Sequence, residues 1–280
     1  MDWGRVKIYL IIMFIALNGF LLYNIISIRM EDTASKETLA NTAKILNSRG
    51  IKITEGQIPS FNPQSVMLSY DVVTLDKLSI AKALLGNGNV KADSIKEGIV
   101  TAGDKKLTFE NGNSFVFEDG AEDKTVKASS TEEIKEELEK KLKEQGSDIK
   151  KFEPDSETVN EDGTKTVEFI EKYENYQIFD NKMTVTFGKE GVNEICFKYN
   201  KVTGIKKLPA NSKKPLPAYQ VLLNNFVKGR NATITEITLG FKGAASGNGS
   251  KSGLINPVWR IKIEDGNSEF YNAYTGETLN

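Results

Sequence analysis

Histidine is absent from this chain of 280 residues, and cysteine occurs once, at Cys196. The first absence excludes a Ser-His-Asp triad, a Cys-His pair and any His-ligated zinc or haem site. The second excludes an internal disulfide and a thiolate metal cluster. An excess of one charge is also missing. Against 38 Asp and Glu stand 37 Lys and Arg, a formal net charge of −1, so no general argument for nucleic-acid binding exists. Cofactor fingerprints are lacking too. The glycine-rich stretch 243–253 contains Gly247-Asn248-Gly249, but Ser252 stands where the dinucleotide fingerprint needs glycine, and no phosphate-loop pattern occurs. Glu-Asp-Gly recurs at 118–120, 161–163 and 264–266, yet none continues as a calcium loop with a glutamate at its end, so these read as turns. Acidic pairs at Glu132-Glu133 and Glu136-Glu137 alternate with Lys135, Lys140 and Lys141, the pattern of a solvated helix face. Cys196, inside EICFKYN, reads as a buried, inert thiol. The expectation is no catalytic residue, no metal and no cofactor.

What the chain does have is one long apolar run. Ile8 to Ile26 carries no charge. As a helix it spans about 28 Å, close to a hydrocarbon core of about 30 Å. Arg5 and Lys7 precede it and Arg29 follows it, a bias that places the N-terminus in the cytoplasm. The run is too long for a signal-peptide core, and SIRMEDT after it offers no small-x-small cleavage site. The reading is a short tail at 1–7, a retained transmembrane helix at 8–28 and an extracytoplasmic remainder. Within the span, Asn18 with Ala16, Gly19 and Ser27 are the candidate contacts to another transmembrane helix, a small and polar seam.

The remainder reads as a repeat of helix and strands, an α+β pattern with antiparallel sheets covered by helices on one face. The first unit, 29–125, opens with a helix over Ser35–Ser48 whose stripe is Leu39, Ala43 and Leu46 and whose stop is Gly50. A short helix capped by Thr74 and stopped by Gly86 follows, then a hairpin turning at Asn111-Gly112-Asn113. The second unit, 126–280, opens with a helix capped by Ser130 and Glu133, striped by Ile134, Leu138 and Leu142 and ended by Gly146. Three antiparallel strands, a helix over Leu216–Lys228 and two final strand regions complete it. Alternation in the last part puts Trp259, Ile261 and Ile263 inside and Val258, Arg260 and Lys262 outside.

The opening MDWGRVKIYLIIMFIALNGFLLYNI, the stretch YQVLLNNF at Tyr219–Phe226 and the ending NPVWRIKIEDGNSEFYNAYTGE together resemble the YycI (WalI) regulatory proteins. The ending alone is also similar to PepSY-like modules. The resemblance implies a bitopic cell-membrane protein of Gram-positive bacteria, its folded part outside, with no known catalytic residues. It implies association with a WalK-like sensor histidine kinase of the cell-wall two-component system, and with a YycH-like companion. Contacts are then expected within Ile8–Ile26, where Asn18 is a choice made on physical grounds. Two other classes compete: an anchored cell-surface binding or peptidase-regulating module, and an envelope hydrolase with an unconventional site.

Overall fold

The computed structural model describes residues 3–31, 33–86, 88, 90, 95, 98–142, 151–209, 211–243, 252–264 and 266–279, with the backbone alone at Arg5 and at 24–31. The helices are α1 (Trp3–Glu31), α2 (Lys36–Ser48), α3 (Lys77–Leu85), α4 (Thr131–Leu142) and α5 (Ala218–Asn225). The earlier strands are β1 (Ile51–Lys52), β2 (Val66–Asp71), β3 (Ile99–Ala102), β4 (Lys105–Phe109), β5 (Ser114–Asp119), β6 (Phe152–Val159) and β7 (Lys165–Tyr173). The later ones are β8 (Tyr176–Gly188), β9 (Gly191–Lys198), β10 (Lys201–Lys207), β11 (Ala232–Phe241), β12 (Ser252–Ile255), β13 (Pro257–Ile263), β14 (Ser268–Asn272) and β15 (Thr278–Leu279). This is an α+β fold with one apolar N-terminal helix.

Two compact units interleave along the chain. Unit 1 is Met1–Ser65, Asn211–Ile237 and Trp259–Thr278; unit 2 is Val66–Ala210, Thr238–Val258 and Leu279–Asn280. They do not coincide with the consecutive pair 29–125 and 126–280. The physical reason is strand pairing: β5, from the first expected unit, lies antiparallel to β9, from the second, with Phe115 opposite Phe197 and Phe117 opposite Ile195. Two strands whose core faces are aromatic and β-branched gain more by sharing one buried face than by ending two small sheets.

In unit 1, Ser35 caps α2 by accepting from the Thr38 N–H at 3.1 Å, and the buried face is Leu39, Thr42, Ala43 and Leu46, as the stripe predicts. The helix stops at Arg49, and Gly50 follows with φ +91°, the conformation that favours glycine after a helix. Arg49 then reaches α5, its Nη1 donating to the Leu223 carbonyl at 2.9 Å and to the Phe226 carbonyl at 3.0 Å. Those are carbonyls a helix C-terminus leaves without intrahelical partners. α5 is shorter than the expected Leu216–Lys228: Pro217 sits at its N-cap, and Gly229, at φ +95°, lies beyond its end. Strand β13 joins β14 to β11, and β1 adds to β11 in parallel with Ile51 opposite Ala232.

In unit 2, strands β6, β7, β8, β9, β5, β4 and β3 pair antiparallel in that order. Ile80, Ala81, Leu84 and Leu85 of α3 and Ile134, Leu138 and Leu142 of α4 form one core with Phe117, Phe169, Val185 and Ile195 of this sheet. Each such large apolar side chain contributes roughly 1.5–3 kcal/mol by leaving water. The cap of α3 is Asp76, whose carboxylate accepts from the Ser79 N–H at 3.2 Å, and not Thr74 two residues earlier. At α4, Ser130 accepts from the Glu133 N–H, while Glu133 reaches back to the Ser129 N–H. The expected stop at Gly146 lies outside the described residues. A second sheet holds β10, β2 and β12.

The tight β8–β9 turn makes a test of this packing. Gly191 has φ +130°, and a Cβ there would stand 2.3 Å from the Val126 carbonyl oxygen, which accepts from Val192 N–H at 2.9 Å. Gly191→Ala is expected to destabilise the chain by about 2 kcal/mol or more through strain and the lost bond. A shift of the urea midpoint at unchanged slope reads this.

Candidate functional site

Helix α1 is the candidate site. Its window Val6–Tyr23 has the length and composition of a membrane span, and none of it is buried. Ile8, Tyr9, Leu10, Ile11, Phe14 and Phe20 are all exposed, so the helix is apolar all round. That is the surface of a helix solvated by lipid or by other apolar helices.

The helix is unbroken from Trp3 to Glu31, which fixes how the candidate residues share its surface. At about 100° per residue, Ala16, Gly19 and Ser27 fall within about 80° of one another. Asn18 lies about 160° from Ala16 and about 100° from Gly19, on a different face. The amide of Asn18 also turns back on its own helix, Nδ2 donating to the Phe14 carbonyl at 2.8 Å. The four residues therefore do not form one seam: Ala16 and Gly19 give a close-approach face, and Asn18 a separate polar point. A Cβ at Gly19 would meet nothing within 4 Å, so that face is open. The side chain of Ser27 lies outside the described residues.

The exit from this helix is held. Thr33 forms an isolated antiparallel bridge with Phe61, and the Ala34 N–H donates to the Ser60 carbonyl at 2.6 Å. Phe61 packs on Trp259 with ring centroids 5.7 Å apart. Trp259 is fully buried and donates from Nε1 to the Leu216 carbonyl at 2.8 Å. The expected burial of Trp259 holds, but the alternation does not: Arg260 is also buried, its Nη2 3.3 Å from Glu236. Tyr271 is buried with its hydroxyl donating to Glu269 at 2.5 Å. Burial comes first in pushing that phenol up to about 12, with the Glu269 bond adding to it. Glu269 also pairs with Arg230, which stacks on Phe226. Trp259, Phe226 and Tyr271 are core, and Phe61 covers Trp259 from the exposed side.

The residues considered for chemistry are dispersed. Cys196 is half-buried, and its thiol is pushed up to about 12 by burial first and by Glu194 beside it, 3.1 Å away. At pH 8 the thiolate fraction is then about a thousandfold below that of a free thiol. Alkylation by iodoacetamide at pH 8 is expected to be correspondingly slow in the native chain and fast after unfolding, which mass spectrometry reads. Among the described residues no group of three His, Cys, Asp or Glu is placed to hold a metal. Asp119, in the first Glu-Asp-Gly turn, is buried and accepts from the Ala121 and Thr125 N–H groups, so it organises a loop. Asp162 does the same for Thr164, whose hydroxyl and N–H hold its carboxyl below the usual carboxylate range. The third turn includes Asp265, and the glycine-rich loop runs through 244–251, all outside the described residues.

One polar cluster escaped the sequence. Asn181, fully buried in unit 2, donates to Glu171 at 2.5 Å and to the Asn200 carbonyl at 2.7 Å, and accepts from the Asn200 N–H at 2.7 Å. Asn113 in turn donates to the Asn200 side chain at 2.7 Å. Unit 1 holds an open pocket of about 610 Å³ lined by Lys52, Asn231, Thr233, Ile263 and Glu264.

Comparison with known proteins finds a family. The profile described as "YycI protein" matches residues 30–274. No curated protein matches the chain. Among solved structures, that of YycH from Bacillus subtilis is similar at 16% identity with a TM-score of 0.45, over 74% of this chain and 52% of that one. The chain thus spans about half the length of that solved relative. With a match across so much of its length, the chain belongs to the YycI family.

Proposed function

We propose that this chain is a non-enzymatic, single-span regulator of a WalK-like sensor histidine kinase, acting with a YycH-like companion. Its N-terminus is cytoplasmic, on the count of Arg5 and Lys7 before the span against Arg29 after it. The observation that carries the reading is α1: an unburied helix, with the length and composition of a membrane span over Val6–Tyr23, in a member of the YycI family. The face of Ala16 and Gly19 lets another helix backbone approach closely, and Asn18 offers a polar contact on a second face. Binding one arrangement of the kinase helices better than another shifts its kinase and phosphatase populations.

Co-purification from bacterial membranes tests this. Exchange of residues 8–28 for an unrelated span is expected to lose the kinase from the captured material and to change output from a kinase-dependent promoter. Gly19→Leu, which fills the close-approach face, is expected to weaken capture more than Asn18→Leu. Unchanged capture and output after the exchange would remove the anchor from the mechanism.

A second reading, an anchored binding or peptidase-regulating module, is favoured by the PepSY-like ending and by the open pocket of unit 1. It predicts that the folded part retains its effect when released from the anchor.

A further inference from the structure

We infer that the pocket of unit 1 takes a short peptide by its two charged ends, the ammonium at Glu264 and the carboxylate at Lys52, with the peptide group on the amide of Asn231. This rests on the second reading of function, in which the folded part binds a ligand, and it supplies the class of that ligand.

Three strand ends make the pocket: Gly50 and Lys52 at β1, Asn231 and Thr233 where β11 begins, and Ile263 and Glu264 where β13 ends. The register sets the two charges in one row. Lys52 is the partner of Thr233 in the parallel β1–β11 pair, and the Glu264 N–H donates to the Thr233 carbonyl at 2.9 Å. Two residues along β11, the Thr235 hydroxyl reaches the Lys262 carbonyl, so β13 runs antiparallel to β11 here and Glu264 lies opposite Thr233. Residues directly opposite on neighbouring strands share a face of the sheet. Lys52 and Glu264 therefore flank Thr233 on one face, with two strand spacings, about 10 Å, between their Cα atoms.

The other charges around the pocket are committed elsewhere. Arg49 caps α5, Arg230 pairs with Glu269, and Lys262 pairs with Glu236 at 3.1 Å. Lys52 and Glu264 are exposed, and among the described residues neither forms an ion pair. Asn231 is placed by a glycine: a Cβ at Gly50 would stand 2.6 Å from its Oδ1, so the amide occupies the space that any other side chain would fill. Among the described residues the Asn231 side chain makes no hydrogen bond, which leaves both a donor and an acceptor for a ligand.

This donor set selects a ligand with both charges. A simple anion attracted by Lys52 is repelled by Glu264, and a simple cation meets the reverse. A zwitterion satisfies both. An extended dipeptide spans about 7 Å, enough to meet both ends of the row, whereas a single amino acid spans about half of that. Its peptide group has the donor and acceptor that an asparagine amide complements. The volume of about 610 Å³ lies within the usual range for small-ligand sites.

The test is a ligand-observed NMR titration of the full chain in lipid nanodiscs with alanyl-alanine. Binding is expected, and N-acetyl-alanyl-alanine and alanyl-alanine amide are each expected to bind about tenfold more weakly, since each lacks one charged end. Lys52→Met is expected to bring alanyl-alanine down to the level of its amide, and Glu264→Gln to bring it down to the level of its acetylated form. No binding of alanyl-alanine to the parent chain would overturn the inference. Equal binding of all three probes would overturn the recognition of two charged ends. Binding that both substitutions leave unchanged would move the site elsewhere and overturn this one. The second reading fails separately: it is read on the promoter after release of the folded part. An effect retained there without dipeptide binding would overturn this ligand class and leave that reading standing.

Discussion

Trp259→Ala is expected to cost about 3–5 kcal/mol, the range for removing a large aromatic side chain from a core. The residue is fully buried, so the whole side chain leaves a cavity. It also joins segments distant in sequence. Its ring packs on Phe61, and its Nε1 donates to Leu216, whose own N–H donates to the Ala273 carbonyl at 2.6 Å. Truncation therefore loosens the bridge at Thr33, the loop before α5 and the C-terminal turn together. Trp259→Phe separates the contributions: it keeps most of the packing and leaves the half-buried Leu216 carbonyl without its donor, an expected loss of about 1 kcal/mol. Pulse proteolysis in urea is the suitable reading, because Trp3 and Trp259 are the only tryptophans and the substitution removes a fluorescence reporter. A loss under about 1 kcal/mol for the alanine variant would mean that Trp259 does not hold these segments together.

How far such residues could be found in the sequence depends on the range of the interaction. α2, α4 and the β4–β5 hairpin are local: a stripe at helical spacing, a cap or a turn dipeptide specifies them, and Leu39, Ala43, Leu46, Ile134, Leu138 and Leu142 are buried as their spacing requires. The partner of β5 was not legible, because Phe117 can meet Ile195 only across a separation of 78 positions in the chain, and no local pattern records that choice. The two interleaved units follow from the same long-range pairing. The helix cap at Asp76 was ambiguous for a different reason, since Thr74 and Asp76 are both good capping residues and the Ser79 hydroxyl, 2.8 Å from Asp76, decides between them. In α1 the apolar run was plain, but the grouping of Asn18 with Ala16 ignored the helical period.

The buried cluster around Asn181 was hidden by a broken period. In the run DNKM a polar residue between Asp180 and Lys182 reads as solvent-facing. In the sheet, Glu171 pairs with Ile178 while Ile170 pairs with Lys182, so residues 179–181 form a bulge opposite β7. Such a bulge breaks strict alternation and lets Asn181 turn inward. Asn181→Ala would then remove three hydrogen bonds from a fully buried site, one of them to a carboxylate. The expected cost is about 3 kcal/mol, since Glu171 and both backbone groups of Asn200 lose a partner. Asn181→Asp is the sharper variant because it changes little but charge. Two carboxyl groups within hydrogen-bonding distance cannot both ionise cheaply, so the pair's folded-state proton affinity is raised above that of the unfolded chain. A raised folded pKa gives stability that is present below the unfolded carboxyl range and is lost as pH rises through the folded value. The variant should therefore approach the parent in urea midpoint near pH 5 and fall well below it at pH 8. A deficit independent of pH would mean that the site admits water and that the cluster does not hold the bulge.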